Sequence, residues 1–118
     1  MLNFSLSLRL AVVGIALSSA PVMAKNPSPK KLMELSAQCA YVTGIAEGND
    51  IKLNYGSAEW INIIRLLEQK TGLDGEQSLN LAKAKYSKRA SVMGADEAFK
   101  YMLGRAQDCD REMAVIQS

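Results

Sequence analysis

Apolar residues recur along most of the chain at alternating intervals of three and four, which is the period of a helix that buries one face. The segment 29–47 carries such a row at Leu32, Leu35, Cys39, Val42 and Ala46. The segment 96–116 carries another at Phe99, Met102, Ala106, Cys109, Met113 and Ile116. Two further helices are expected over 58–71 and 75–93, and no segment alternates long enough for a strand. The pattern therefore predicts an all-α four-helix domain, either a bundle or an orthogonal array.

Capping residues mark the ends of these helices. Ser28 and Pro29 are a typical helix start, because a hydroxyl can accept hydrogen bonds from free backbone N–H groups and proline favours the first helical position. The motif Asp74–Gln77 opens the third helix as a variant of the capping box. Gly48 fits the left-handed position at the end of the first helix, and the second helix is expected to stop at Gly72.

The second helix is apolar over more of its circumference than a peripheral helix needs. This wide arc consists of Trp60, Ile61, Ile63, Ile64, Leu66 and Leu67. A helix in the centre of the domain would bury such an arc against several neighbours, so we predict a central position for it. The alternative is that part of the arc meets a partner.

The segment 1–24 differs in character from the rest of the chain. Its only charge is Arg9, and the apolar run Leu10–Ala20 is about half the length that a bilayer span requires. Small residues precede a natural cleavage point at Ala24. We expect a signal peptide that is cleaved after Ala24, followed by one helical domain over 25–118 with no further membrane span. This predicts a periplasmic or secreted protein.

Composition narrows the range of functions. The chain has 118 residues, with 14 Lys and Arg against 12 Asp and Glu, a net charge of +2 and no histidine. This small charge argues against a nucleic-acid partner, because such proteins concentrate many cations on one face. Without histidine, the commonest general base and metal ligand are missing, and no catalytic motif is present. The sequence therefore predicts no enzyme, no cofactor and no metal site.

The two cysteines, Cys39 and Cys109, lie on the predicted apolar rows of the first and last helices. Because an exported chain enters an oxidising compartment, we predict one structural disulfide between them. A redox-active pair is the alternative, although such cysteines are usually close in sequence and accessible to solvent.

The least regular stretch is 48–57, where apolar and polar residues alternate as in an extended connection. Connections of this sort often carry function, and tyrosine and tryptophan often anchor protein interfaces. Asn54, Tyr55 and Trp60 are therefore candidates for binding a protein partner. Of the aromatic and apolar residues here, Tyr55 is expected to be the most exposed. The alternative is that Trp60 and its apolar neighbours cover one end of the domain.

The third helix carries a second pattern on the face opposite its buried row. Leu81, Lys85, Lys88 and Val92 recur there at intervals of four, three and four. With Arg89, the residues Lys85 and Lys88 could form a cationic patch for an anionic envelope polymer or an acidic protein surface. A solvated helix face is the alternative.

These observations predict a small exported protein that binds a periplasmic or envelope protein, as an inhibitor or an adaptor. The alternatives are a periplasmic stress chaperone and a subunit of a surface assembly. A signal peptide, a run of helices and one long-range disulfide are together similar in outline to small periplasmic acid-stress chaperones of enteric bacteria and to small exported phage proteins that inhibit cell-wall enzymes. Because the chain has no histidine, an acid-driven switch would use carboxylates, at about pH 3 to 5.

Overall fold

Four helices make up most of the described chain. The structure, a computed structural model, describes residues 27–118, so the predicted signal peptide lies outside the described residues. The helices are α1 (Pro29–Gly48), α2 (Ser57–Thr71), α3 (Gly75–Met93) and α4 (Ala95–Gln117). Residues 27–118 contain no strand, and the predicted all-α four-helix fold is confirmed. None of these four helices has the length and apolar character that a membrane crossing requires.

Local capping accounts for where the helices begin and end. The Ser28 hydroxyl accepts a hydrogen bond from the Lys31 N–H at 3.2 Å, and the Asp74 carboxylate accepts one from the Gln77 N–H at 3.0 Å. Gly72 follows α2 with φ of 76°, a conformation that a side chain would strain. Each helix end lies within one residue of the position that the sequence pattern predicts.

Gly48 does not adopt the left-handed conformation expected of it. It is the last residue of α1, and the Asn49 side-chain amide donates a hydrogen bond to the Ile45 carbonyl at 2.8 Å, which satisfies a free acceptor at this helix end. The positive φ occurs instead at Asp50, at 63°. A side-chain cap therefore takes the place of the glycine cap that the sequence indicated.

The central helix of the domain is α1, since it packs against α2, α3 and α4. Its buried residues spread over much of its circumference and are mostly small: Met33, Ser36, Ala37, Cys39, Ala40, Val42, Thr43 and Ala46. Small side chains let a helix approach several neighbours closely. This corrects the expectation that the second helix is central, because only Trp60 and Ile64 of α2 are buried.

The wide apolar arc of α2 is only partly covered. This helix packs along α1, contacts α3 much less extensively, and its backbone does not approach α4 closely within residues 27–118. Three residues of the arc, Ile61, Ile63 and Leu67, are half-buried against the core, whereas Leu66 is 51% exposed. The arc therefore reflects one broad contact with α1 and not a central position.

The connection between α1 and α2, residues 49–56, is held against α4 by one carboxylate. The two oxygens of Asp110 accept hydrogen bonds from the backbone N–H groups of Asn54 and Tyr55, at 2.9 and 2.7 Å. Glu47 accepts from both the N–H and the hydroxyl of Ser57, at 3.1 and 3.0 Å, where α2 begins. Side chains thus satisfy backbone groups that an irregular segment would otherwise leave to water.

Cys39 and Cys109 form a disulfide between α1 and α4, as the sequence predicts. Their Cα atoms are 5.6 Å apart, and neither residue is exposed to solvent. The bridge spans 70 positions of the chain and ties the first helix to the last. A disulfide of this kind is typical of proteins in oxidising, extracellular compartments.

Replacing both cysteines should destabilise the domain strongly. The double change Cys39→Ala and Cys109→Ala frees a loop with a sequence separation of 70 in the unfolded chain, which corresponds to about 4 kcal/mol. Urea unfolding of the oxidised protein and of the variant, followed by circular dichroism, measures the difference. Unchanged stability, together with rapid oxidation of other thiols by the wild type, would favour a redox role for the pair instead.

Asp110→Ala should release the 49–56 connection, because two backbone N–H groups lose their acceptor and each loss costs about 1 kcal/mol. Hydrogen exchange of the Asn54 and Tyr55 amides, followed by NMR, should accelerate while amides in the middle of α1 stay protected. Asp110→Asn keeps one carbonyl acceptor and should have an intermediate effect. Equal exchange rates in all three proteins would contradict the role assigned to Asp110.

Candidate protein-binding surface

The outward face of α3 presents aliphatic and cationic side chains in one row. Leu81, Lys85, Lys88 and Val92 are all exposed, and we call these four residues the α3 stripe. Leu81 is 63% exposed and Val92 is 79% exposed. Intervals of three and four place the residues on one side of the helix, so the row extends for roughly 17 Å. The structure therefore brings the two candidate lysines together, with an aliphatic residue at each end.

The cations of α3 outnumber its acids. They are Lys83, Lys85, Lys88 and Arg89, whereas Glu76 in the first turn is the only acid of this helix. All the ion pairs found within residues 27–118 join two residues of α2 or two residues of α4. None of the four cations of α3 therefore has a carboxylate oxygen within 4.0 Å there. The cations of α3 therefore form no ion pair within the described chain, although Glu34 and Asp74 line the same cavity as Lys85.

A cavity of about 510 Å³ lies between α1 and α3, beside the α3 stripe. The buried residues Met33 and Ala82 contribute to its lining, and Leu81 and Lys85 belong both to its wall and to the stripe. The Lys85 ammonium donates a hydrogen bond to the Gln38 side-chain oxygen at 3.3 Å. This bond restrains Lys85 at the edge of the cavity.

Three tyrosines from three helices form a cluster next to the cations of α3. Tyr86 of α3 lies between Tyr41 of α1 and Tyr101 of α4. The centroid of its ring is 5.8 Å from that of Tyr41 and 6.2 Å from that of Tyr101. The guanidinium carbon of Arg89 lies 4.1 Å from the centroid of the Tyr101 ring, which is the geometry of a cation–π contact. The sequence pattern did not single out Tyr41 and Tyr101, because each lies off the predicted buried row of its own helix.

Burial raises the pKa of the Tyr86 hydroxyl above its ordinary value of 10.0. The positive charge of Arg105, and to a smaller extent that of Arg89, opposes this change by favouring the ionised form, whereas Tyr101 adds to it. Burial is the largest of these effects. The hydroxyl therefore keeps its proton at a pH where an exposed tyrosine has begun to ionise.

The candidate residues of the 49–56 connection are placed differently from the lysines. Asn54 is exposed, and its backbone N–H is bonded to Asp110. Tyr55, expected to be the most exposed of the aromatic and apolar residues here, is half-buried against the core. Trp60 is 0% exposed, which leaves no surface of its ring for a partner and favours the alternative that Trp60 covers one end of the domain. A large aromatic ring gains much from burial, and here it belongs to the hydrophobic core.

Glu112 lies beside the disulfide, with one carboxylate oxygen 3.8 Å from the sulfur of Cys39. Together with Cys109, these residues have the spacing of a metal-binding group. The two sulfurs are bonded to each other, however, so neither is a thiolate, which is the form that binds a metal. The group is a structural crosslink whose neighbouring carboxylate pairs with Arg105 at 3.6 Å.

No known protein family, curated protein or solved structure matches the chain. The candidate surface is therefore defined by its own residues: the α3 stripe, Arg89 beside it, and the tyrosine cluster that positions Arg89.

Tyr86 should make the protein less stable at alkaline pH. Because the pKa of Tyr86 is raised in the folded state, the folded protein holds this proton above about pH 10, where the unfolded chain releases it. The contribution of Tyr86 to stability is therefore complete below pH 10 and is lost as the pH rises through the raised pKa. Tyr86→Phe should remove this part of the alkaline loss.

Urea unfolding of the wild type, Tyr86→Phe and Tyr55→Phe, between about pH 8 and pH 11, measures this effect. Tyr55→Phe is the matched control, since it removes a tyrosine hydroxyl from the half-buried connection. The same alkaline slope in all three proteins would contradict the assignment to Tyr86.

Proposed function

We propose that the protein is exported and binds an acidic surface of another protein through the α3 stripe, as an inhibitor or an adaptor of a periplasmic or envelope protein. The observation that carries this proposal is the exposure of Leu81 and Val92 in one row with Lys85 and Lys88. Exposed apolar residues that are grouped and bordered by polar ones are typical of interaction sites.

Electrostatics supports an acidic partner. The four cations of α3 have no carboxylate within 4.0 Å in the described chain, so none of them is held in an ion pair there. Attraction between opposite charges speeds association and disfavours partners of the same sign. The aliphatic residues at the two ends of the stripe supply the water-excluding contacts that such a complex also needs. Binding of this kind uses no catalytic group, cofactor or metal, and we propose none.

The proposed compartment rests on two features of the chain. The disulfide is typical of an oxidising environment, and residues 1–24 have the composition of a signal peptide. Cleavage after Ala24 would deliver the helical domain to the periplasm or to the medium. Mass spectrometry of the exported protein tests this step, with Lys25 as the expected first residue.

A stress chaperone is the second candidate, because carboxylates hold two of the connections between helices. Asp110 and Glu47 hold the 49–56 connection, and Glu68 accepts a hydrogen bond from the Gly75 N–H at 3.0 Å where α2 gives way to α3. Protonation of these acids would remove charged acceptors and loosen the connections. Suppression of client aggregation at about pH 3 but not at pH 7 would favour this candidate, and self-association in light scattering would favour a surface assembly.

Charge reversal on the stripe should abolish partner capture while leaving the fold intact. Lys85→Glu with Lys88→Glu places two acids against an acidic partner, so capture from a periplasmic extract by the immobilised, oxidised protein should fall at least about tenfold. Lys52→Glu with Lys70→Glu is the matched control, because both lysines are exposed and the net charge changes equally. The proposal would be contradicted if the stripe variant captured the partner as fully as the wild type, or if the control variant lost capture to the same extent.

A single change in the connection separates the two surfaces that the sequence suggested. Asn54→Ala alters an exposed side chain of the 49–56 connection and should capture the partner as the wild type does. Loss of capture by Asn54→Ala would return the binding surface to that connection.

A further inference from the structure

Two arginines border the tyrosine cluster, and their charges are balanced differently. Arg105 lies 3.6 Å from Glu112 and 3.9 Å from Asp108. Arg89 has no carboxylate oxygen within 4.0 Å among residues 27–118, and its Nε is buried without a hydrogen-bond partner there. The charge of Arg89 and one of its donors are therefore unsatisfied within the described chain.

Arg89 is also held in place. Its guanidinium stacks on Tyr101 at 4.1 Å, and Tyr101 in turn packs against Tyr86, whose buried ring stacks on Tyr41. Arg89 as a whole is half-buried, so it remains reachable from solvent. A restrained guanidinium loses little freedom when it forms further hydrogen bonds, so binding through it costs less entropy than binding through a free side chain.

We propose that Arg89 is the receptor for a carboxylate of the partner protein. Because Nε is buried, the carboxylate would bind the two terminal amino groups of the guanidinium, whose planar arrangement gives two parallel hydrogen bonds, whereas lysine offers only a point charge. Arg89 lies about one helical turn from Lys85 and from Val92, so this carboxylate would bind beside the α3 stripe. The inference rests on the proposed function, because it names the group that the partner of the stripe supplies.

The surroundings of Arg89 favour a protein carboxylate over an anionic polymer. Met93, one turn along α3, is 39% exposed, and Val92 is more exposed still. An apolar surface next to a guanidinium suits an acidic side chain that has apolar neighbours of its own. Polymer-binding surfaces instead gather many cations so that each neutralises one anionic group.

A defined probe tests the receptor directly. Hexaglutamate, titrated into the oxidised protein labelled with nitrogen-15, should shift the side-chain N–H resonance of Arg89 and the amide resonance of Tyr101. Hexaglutamine, which has the same length without the charges, should leave both resonances unchanged.

Three variants separate a specific receptor from a diffuse positive field. Arg89→Lys keeps the charge but removes the fork, and it should weaken hexaglutamate binding roughly fivefold. Lys83→Met removes a charge from the same helix but leaves Arg89 unchanged, and it should weaken binding less than about twofold. Tyr101→Leu removes the ring under the guanidinium and should behave like Arg89→Lys, with circular dichroism to verify the fold.

The outcomes that overturn the receptor are distinct. If Arg89→Lys weakens hexaglutamate binding no more than Lys83→Met does, the peptide is attracted by the overall positive charge of α3 and not by a specific site at Arg89. No hexaglutamate-dependent shift at Arg89 would exclude the site. Tighter binding of inorganic tripolyphosphate at the same resonances would assign it to an anionic polymer.

The capture assay distinguishes this inference from the proposed function. Arg89→Lys should reduce partner capture, as the reversal of Lys85 and Lys88 does. Full capture by Arg89→Lys, with capture lost in the stripe variant, would sink the carboxylate receptor and leave the proposed function standing. If both variants captured the partner fully, the carboxylate receptor and the proposed function would both be contradicted.

Discussion

The three other helices of the described domain all pack on α1, and the Cys39–Cys109 disulfide ties that helix to α4. This contact depends on small buried residues such as Ala37 and Ala40, which let three helices approach one axis. The contacts among the other three helices are less extensive: α3 packs on α4, whereas α2 contacts α3 only slightly and its backbone does not approach α4 closely within residues 27–118. The position of α3, and with it the exposure of the α3 stripe, therefore follows from how α1 is enclosed.

The binding surface is coupled to this core through very few residues. Within α3, only Gly75, Ala82 and Tyr86 are buried, which leaves most of the helix circumference to solvent. Tyr86 connects the two environments, because its ring is buried between α1 and α4 while the neighbouring Tyr101 supports Arg89 at the surface. The backbone of this surface belongs to a packed helix, and a surface whose backbone is already ordered loses less conformational freedom when a partner binds.

Much of the fold was predictable from local patterns, and particular residues show where those patterns stop being informative. The cysteines lie on rows with helical spacing, and Ser28 and Asp74 carry the side chains that cap helix starts, so the four helices and the disulfide were expected. The central position of α1 was not predicted. The hydrophobic arc of a helix shows which of its residues are apolar, whereas close packing against three neighbouring helices also depends on small side chains. Trp60 is a second residue whose location the sequence pattern did not predict, because a tryptophan side chain is suited equally to a protein interface and to a hydrophobic core.

Local sequence was sufficient to establish the four helices and the row formed by Leu81, Lys85, Lys88 and Val92, because helical spacing and capping involve residues only a few positions apart. The disulfide was predictable for a different reason, since the chain has only two cysteines. Packing alone decided that α1 is enclosed, that Trp60 is buried, and that Arg89 of α3 stacks on Tyr101 of α4. Those outcomes depend on which side chains from separate helices meet in space. Helical periodicity contains no information about such meetings, because it describes one helix at a time.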